Sequence, residues 1–190
     1  MTIKLKSVVE EFINPINIKT IEEKGNIRIL VPSSLENDKI KEDQLKSGEI
    51  DLEKINPKQY LKKNDIVFQA KGNKFEVVLI EENYENLLAS SLYFIIRVNE
   101  KKINPKYLQW LLKTEKAKEY FEKNTSGTVM KIVRKSTLED FEFDCPSLKE
   151  QENFQTLIRA FENEEKETLK YLESKKELIE RKILAKYEVK

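Results

Sequence analysis

The chain has 190 residues, 39% apolar and 36% charged, with nine Phe and seven Tyr, enough for one domain with a core plus an appendage. Its 35 Lys and Arg against 34 Asp and Glu leave a net charge of +1, so bulk charge selects no partner. The absence of histidine excludes Ser-His-Asp and Cys-His catalysis and every His-containing metal site, the single Cys145 excludes an internal disulfide, and no apolar run approaches the ~18 residues of a membrane helix.

The chain begins with alternating charge and no apolar signal segment, which with the lone cysteine predicts a cytoplasmic protein. Residues 4–13 space Leu5, Val8, Val9 and Phe12 at a helical period, predicting a short amphipathic helix closed by Asn14-Pro15. Ile27 to Val31 is a β-branched and aliphatic strand ended by Pro32. Residues 33–64 read as loop and short helix. Glu36 to Glu53 holds seven acids and three lysines, a net of −4. Asn56-Pro57 is an N-cap with Pro at N1, opening about two turns to Lys63.

Strands follow. Asp65 to Ala70 puts Ile66, Phe68 and Ala70 on one face, Lys71-Gly72-Asn73-Lys74 turns, and Phe75 to Glu81 returns with Phe75, Val77 and Leu79 on one face, a hairpin pattern. Leu92 to Val98 is a strand apolar enough to be buried on both sides. Arg97 to Lys135 holds eleven bases and four acids, a net of +7, a section able to meet a polyanion. Asn104-Pro105 opens a longer helix whose Tyr107, Trp110, Leu111, Ala117, Tyr120 and Phe121 face the core. Its lysines 113, 116, 118 and 123 form the solvated face. A polar loop at 124–128, a strand at Val129 to Val133 and a strand at Leu138 to Phe143 complete the domain, with Cys145 as a small packing residue.

Pro146 ends the last strand, since it has no N–H for a ladder. Ser147 stands as N-cap with Glu150 three residues on, a capping box. No Pro or Gly occurs from there to Lys190, permitting some forty helical residues, about 60 Å. Phe154, Leu157, Ile158, Phe161, Leu169, Leu172, Ile179, Ile183 and Tyr187 form a heptad-like stripe, broken at Glu164-Glu165 and Lys175-Lys176. Ten acids equal ten bases over 148–190, so this is a coiled-coil partner and not a nucleic-acid rod. The fold class is α+β: a mixed domain at 1–146 with a twisted, largely antiparallel sheet, then a long coiled-coil helix at 147–190.

Asn-Asp-Ile-Val-Phe at 64–68, Lys-Gly-Asn at 71–73, Asn-Pro-Lys-Tyr-Leu at 104–108, Ser-Gly-Thr at 126–128 and Cys-Pro-Ser-Leu-Lys-Glu-Gln at 145–151, in this order before a long helix, resemble specificity subunits of type I restriction–modification systems. The resemblance covers about Leu5 to Tyr187. Pro146 to Gln151 corresponds to the family's Pro-Pro-Leu-x-Glu-Gln signature, with Ser147 for the second proline. Family members carry two recognition domains and two helices, whereas this sequence has one of each and looks like a half-length subunit. The resemblance implies a non-catalytic subunit without cofactor or metal that reads a half-site in double-stranded DNA. It also implies recruitment of an adenine methyltransferase subunit, with or without a restriction subunit.

On that reading Lys71, Asn73 and Lys74 at the hairpin tip, and Thr125, Ser126, Gly127 and Thr128 beside Lys131, Arg134 and Lys135, are the candidate DNA-facing residues. Lysines would meet phosphates, Asn73 a base edge or sugar, and Arg134 a guanine. Asp65, Gln69 and Lys71 faintly match a nuclease pattern. Residues four apart on a strand lie roughly 13 Å apart, too far to share a metal. The terminal stripe is expected to make a homodimer, antiparallel because that sets Glu164-Glu165 against Lys175-Lys176. The competing reading is a coiled-coil interaction or regulatory module that never touches DNA.

Overall fold

Pairing around residues 93–98 sets the plan of the domain. The computed structural model describes residues 1–18, 25–36, 39–127 and 130–187. By internal contacts it divides into two units, Met1–Gln151 and Glu152–Lys190.

In chain order the strands are β1 (Thr2–Lys4), β2 (Val9–Ile13), β3 (Ile27–Leu30), β4 (Leu35–Glu36), β5 (Lys39–Ile40), β6 (Lys46–Gly48), β7 (Ile66–Gln69), β8 (Val77–Leu79), β9 (Leu87–Ala89) and β10 (Tyr93–Val98). Helices α1 (Pro105–Lys113), α2 (Glu115–Lys123) and α3 (Lys135–Glu139) follow, then β11 (Glu142–Asp144) and α4 (Leu148–Tyr187). The principal sheet has the order β2-β10-β7-β8 and is antiparallel throughout. A second sheet, β6-β3-β9, pairs β3 with β9 in parallel, while β1 pairs with β11.

Two cores explain the alternation along β7 and β10. Ile66 and Phe68 of β7 and Ile96 and Val98 of β10 pack with Tyr107, Leu108, Leu112, Ala117 and Phe121 from the helices. Val67, Tyr93 and Ile95 face the other way, onto Leu30, Leu61, Leu87 and Ala89. The sheet is thus covered on both faces, and β10 is buried on both sides as its apolar run predicts. The hairpin of β7 and β8 forms in the expected phase, with Phe68 opposite Val77 and Phe75 and Leu79 packed beside it.

Several expectations are corrected. Residues 4–13 are not a helix: Leu5–Ser7 is one 3-10 turn between β1 and β2. The turn brings Leu5 and Val8 into the core together and so imitates a helical period, while β-branched Val9 and Ile13 take the edge of β10. After Asn56 only a single 3-10 turn, Pro57–Gln59, forms, capped by the Asn56 and Gln59 side chains. The helix after Asn104 is two helices. Thr114 is extended at ψ 154°, its hydroxyl donating to Leu111 O at 2.7 Å and accepting from Ala117 N at 3.4 Å, so one residue ends α1 and starts α2. Trp110 is 42% exposed and not core, because it stands about 200° round α1 from the buried Leu108 and Leu112, on the opposite face. Residues 130–133 make isolated bridges and no strand, and the strand expected from Leu138 begins only at Glu142 because Lys135–Glu139 closes a short helix over buried Leu138.

The junction is built as its residues demand. Glu150 accepts from Ser147 N at 2.9 Å and Ser147 Oγ accepts from Glu150 N at 3.4 Å, the reciprocal capping box. Gln151 is fully buried. Its Oε1 accepts from Asn104 N at 2.8 Å and its Nε2 donates to Pro146 O at 2.9 Å, tying the start of α1 to the junction. Cys145 is half-buried against the first core, where burial pushes its thiol up. α4 then runs unbroken for 40 residues.

Candidate nucleic-acid interface

The two candidate segments, some fifty residues apart in sequence, meet at one end of the principal sheet. Ala70 and Lys71 both donate to Leu92 O, at 2.8 and 3.1 Å, which extends β7 beyond its ladder. Val133 N then donates to Ala70 O at 2.8 Å, and Gly72 N to Lys131 O at 3.1 Å. Ile132 bridges Lys71 on one side and Ser126 on the other, the latter through bonds of 3.1 and 2.9 Å. The hairpin tip, the Ser-Gly loop and the 131–133 segment are therefore one irregular ladder.

Glycine is required twice here. Gly72 has φ +143°, and a Cβ there would sit 2.4 Å from Gln69 Nε2. Gly127 has φ +96°, and a Cβ would meet Met130 O at 2.3 Å. Thr128 lies outside the described residues, as does Val129 at the head of the expected strand. Asn73 and Lys74 are exposed, Lys71, Thr125 and Ser126 half-buried, and Gly127 exposed. Thr125 Oγ1 donates to Glu122 O at 3.0 Å, which holds the loop to the end of α2.

The cations divide into two groups. Lys131 pairs with Glu122 at 3.1 Å and lies over the Phe75 ring, and Lys135 pairs with Glu139 at 3.7 Å and lies over the Phe12 ring. Among the described residues Lys71, Lys74 and Arg134 are in no ion pair, and Arg134 stands exposed at the N-cap of α3. Lys118 and Lys123, read as solvated, pair with Glu115 and Glu119 along α2.

Arg97, which helps make residues 97–135 basic, is withdrawn from this surface. Its Nε and Nη2 bind the two oxygens of Asp65 at 2.8 and 2.7 Å, with side chains 18% and 2% exposed. The Asp65 hydrogen bonds hold the guanidinium above its usual value. Asp65 also accepts from Lys62 N at 2.9 Å, so both its carboxylate oxygens are engaged in bonds within the domain. Among the described residues no cluster of three His, Cys, Asp or Glu could hold a metal ion, and no helix is long and apolar enough to cross a membrane.

The sequence singles out Gln69 only within the nuclease pattern and gives no sign of Met130 or Ile132. Gln69 is buried beneath the tip, with Nε2 donating to Lys71 O at 3.1 Å. Its signal was present: a lone amide inside the apolar run Ile-Val-Phe-Gln-Ala. Met130 and Ile132 are 48% and 36% exposed among the cations, a position that only the ladder reveals.

On α4 the stripe is open. Phe154, Leu157, Phe161, Leu169, Leu172, Ile179, Ile183 and Tyr187 are each between 41% and 69% exposed, while Ile158 is 7% exposed. Tyr171, Leu178 and Leu184 add to the exposed set.

Solved structures share this fold, three of them as follows. The S subunit of a type I restriction–modification system from M. genitalium matches with a TM-score of 0.61 over 95% of this chain and 44% of its own, at 16% identity. The HsdS subunit from Thermoanaerobacter tengcongensis matches at 0.65, again at 16% identity, over 98% of this chain and 48% of its own. A chain from a structural study of complex assembly and conformational transition in the type I R-M system matches at 0.72 with the same identity and coverage. The chain thus spans just under half the length of the structures it matches. Comparison with curated proteins gives no match. At this identity the structures speak for the fold alone, whereas residues 1–180 match the sequence family of the type I restriction modification DNA specificity domain, and the chain belongs to that family.

Proposed function

We propose that the chain is a non-catalytic DNA-reading unit of a type I restriction–modification complex. In this reading the ladder of residues 70–72, 126 and 131–133 faces one half-site in duplex DNA. The observation that carries it is the joining of two sequence-distant basic segments into one ladder, which brings the exposed Asn73, Lys74 and Arg134 to one end of the sheet on a chain of this family. Lys71, Lys74 and Arg134 meet phosphates or bases directly, while Lys131 and Lys135 first exchange a carboxylate partner. Methyl transfer belongs to an adenine methyltransferase subunit recruited by the chain, with or without a restriction subunit in the same complex.

The open stripe on α4 takes the matching helix of a second copy, antiparallel. Leu157 and Ile183, Phe161 and Ile179, and Leu169 and Tyr171 are each placed symmetrically about residue 170, as are Glu164 with Lys176 and Glu165 with Lys175. At 3.6 residues per turn they share one face about 160° wide. A two-fold axis at 170 stacks apolar on apolar and acid on base, and makes the DNA target an inverted repeat.

The test is salt-dependent binding to duplex DNA. Replacing Lys71, Lys74 and Arg134 by Gln should lower affinity and flatten the log–log salt slope by about 2–3, at roughly 0.9 for each phosphate left without its cation. An unchanged slope in a folded triple variant would move the DNA surface elsewhere. A wild-type chain with no salt-dependent DNA binding would favour the coiled-coil interaction module.

A further inference from the structure

Beneath the hairpin tip the sheet buries polar atoms in a place where apolar ones would pack. Gln69 and Tyr93 are direct partners across β7 and β10, 6% and 1% exposed, on the face that otherwise carries Val67 and Ile95. Ser90 closes the turn into β10, its carbonyl accepting from Tyr93 N at 3.1 Å. Gln69 Oε1, Tyr93 Oη and Ser90 Oγ are all buried with no hydrogen-bond partner among the described residues. Glu76, whose backbone oxygen accepts from Gln69 N at 2.8 Å, is near enough that its charge adds to burial in holding the Tyr93 phenol up.

Buried oxygens without partners cost stability, and native structures resolve them with internal water, typically bound by about three protein groups. An amide oxygen and a phenol on directly paired residues, with a hydroxyl on the residue that turns the chain into β10, supply that number. The same Gln69 amide reaches the tip, since Nε2 donates to Lys71 O and Gly72 packs its bare Cα against that nitrogen. We propose that Gln69, Tyr93 and Ser90 hold buried water at the root of the hairpin tip, and that Gln69 is thereby the positioning residue for the tip in DNA reading. The second half rests on the reading of the tip as DNA-facing.

Three variants of the whole chain test it: Tyr93→Phe, Gln69→Leu and Gln69→Glu. Tyr93→Phe keeps the shape and removes one partner of the water, so Tm should fall by about 2–4 °C. Gln69→Leu should speed amide exchange at Gly72 and Val133 about tenfold and reduce discrimination between cognate and random DNA. Gln69→Glu, which keeps an acceptor but loses the donor to Lys71 O, should show the same tip exchange. A crystal structure of the wild type should place water within hydrogen-bond distance of Tyr93 Oη and Gln69 Oε1. A Tm that rises or stays level in Tyr93→Phe means a dry row and overturns the water site, as does a bound monovalent cation in that density. Unchanged exchange at Gly72 in both Gln69 variants overturns the positioning role. Exchange and Tm as expected with DNA discrimination intact would keep the water site and overturn its part in reading.

Discussion

Replacing Asp65 by Ala removes the carboxylate that Arg97 holds at 2.7 and 2.8 Å and that also accepts from Lys62 N. Breaking a buried pair costs about 3–5 kcal/mol because the surviving charge is stranded. Arg97 retains 18% exposure and two weak bonds to the Lys58 and Tyr60 carbonyls at 3.4 Å, so some hydration and partial satisfaction survive. That places the loss at the low end, about 3 kcal/mol. For a unit of 151 residues this corresponds to a Tm lower by about 6–12 °C. Thermal unfolding followed by near-ultraviolet circular dichroism reads it, because Tyr and Phe fill the adjoining cores. The double variant Asp65→Leu/Arg97→Met, with neither charge present, should recover most of the loss. A drop under 2 °C in Asp65→Ala, or a double variant as unstable as the single, would refute the view that the pair is a buried structural bridge.

Other consequences follow from the same structure. Glu150 is held below its ordinary value of 4.5 by hydrogen bonds from the Ser147 hydroxyl and backbone N–H. A lowered folded value means that this contribution is complete above 4.5 and lost as pH falls through the folded value, so helicity at 222 nm should decline on the acid side of 4.5. In Ser147→Ala that acid limb should flatten, and an unchanged limb would contradict the capping role. Reversing Glu164 and Glu165 to Lys should weaken self-association measured by sedimentation, and adding Lys175→Glu with Lys176→Glu should restore it. A wild-type monomer at tens of micromolar, or failure of the second reversal to rescue, would refute the antiparallel homodimer.

What the sequence made legible was local chemistry. Asn104-Pro105 and the Ser147–Glu150 box each specify their geometry within four residues and formed as read, whereas the 71–74 tip, though it joins the expected hairpin, is held by bonds to Leu92 O and Lys131 O. The length of α4 followed from uninterrupted propensity. Residues 4–13 were misread because a 3-10 turn followed by a strand spaces buried side chains as a helix does, and only the open edge of β10 decides between them. The break between α1 and α2 escapes a periodicity reading because it depends on the Thr114 hydroxyl bonding in both directions, and Trp110 falls on the face of α1 opposite the buried Leu108 and Leu112. The candidate interface was visible as two separate basic segments. Their union through Val133 N to Ala70 O and Gly72 N to Lys131 O is a non-local pairing, and so is the withdrawal of Arg97 onto Asp65.

The most direct measurement is selection of duplexes from a random library by the chain assembled with an adenine methyltransferase subunit, followed by affinities of winner and random DNA across a salt series. Selection should enrich an inverted repeat with a fixed spacer, preferred over random DNA by at least about 10³. Affinity should fall steeply with salt, and the Lys71, Lys74 and Arg134 triple variant should flatten that fall. Recovery of sequences with no common motif, bound with the same affinity as random DNA at every salt concentration, would contradict DNA reading by this chain.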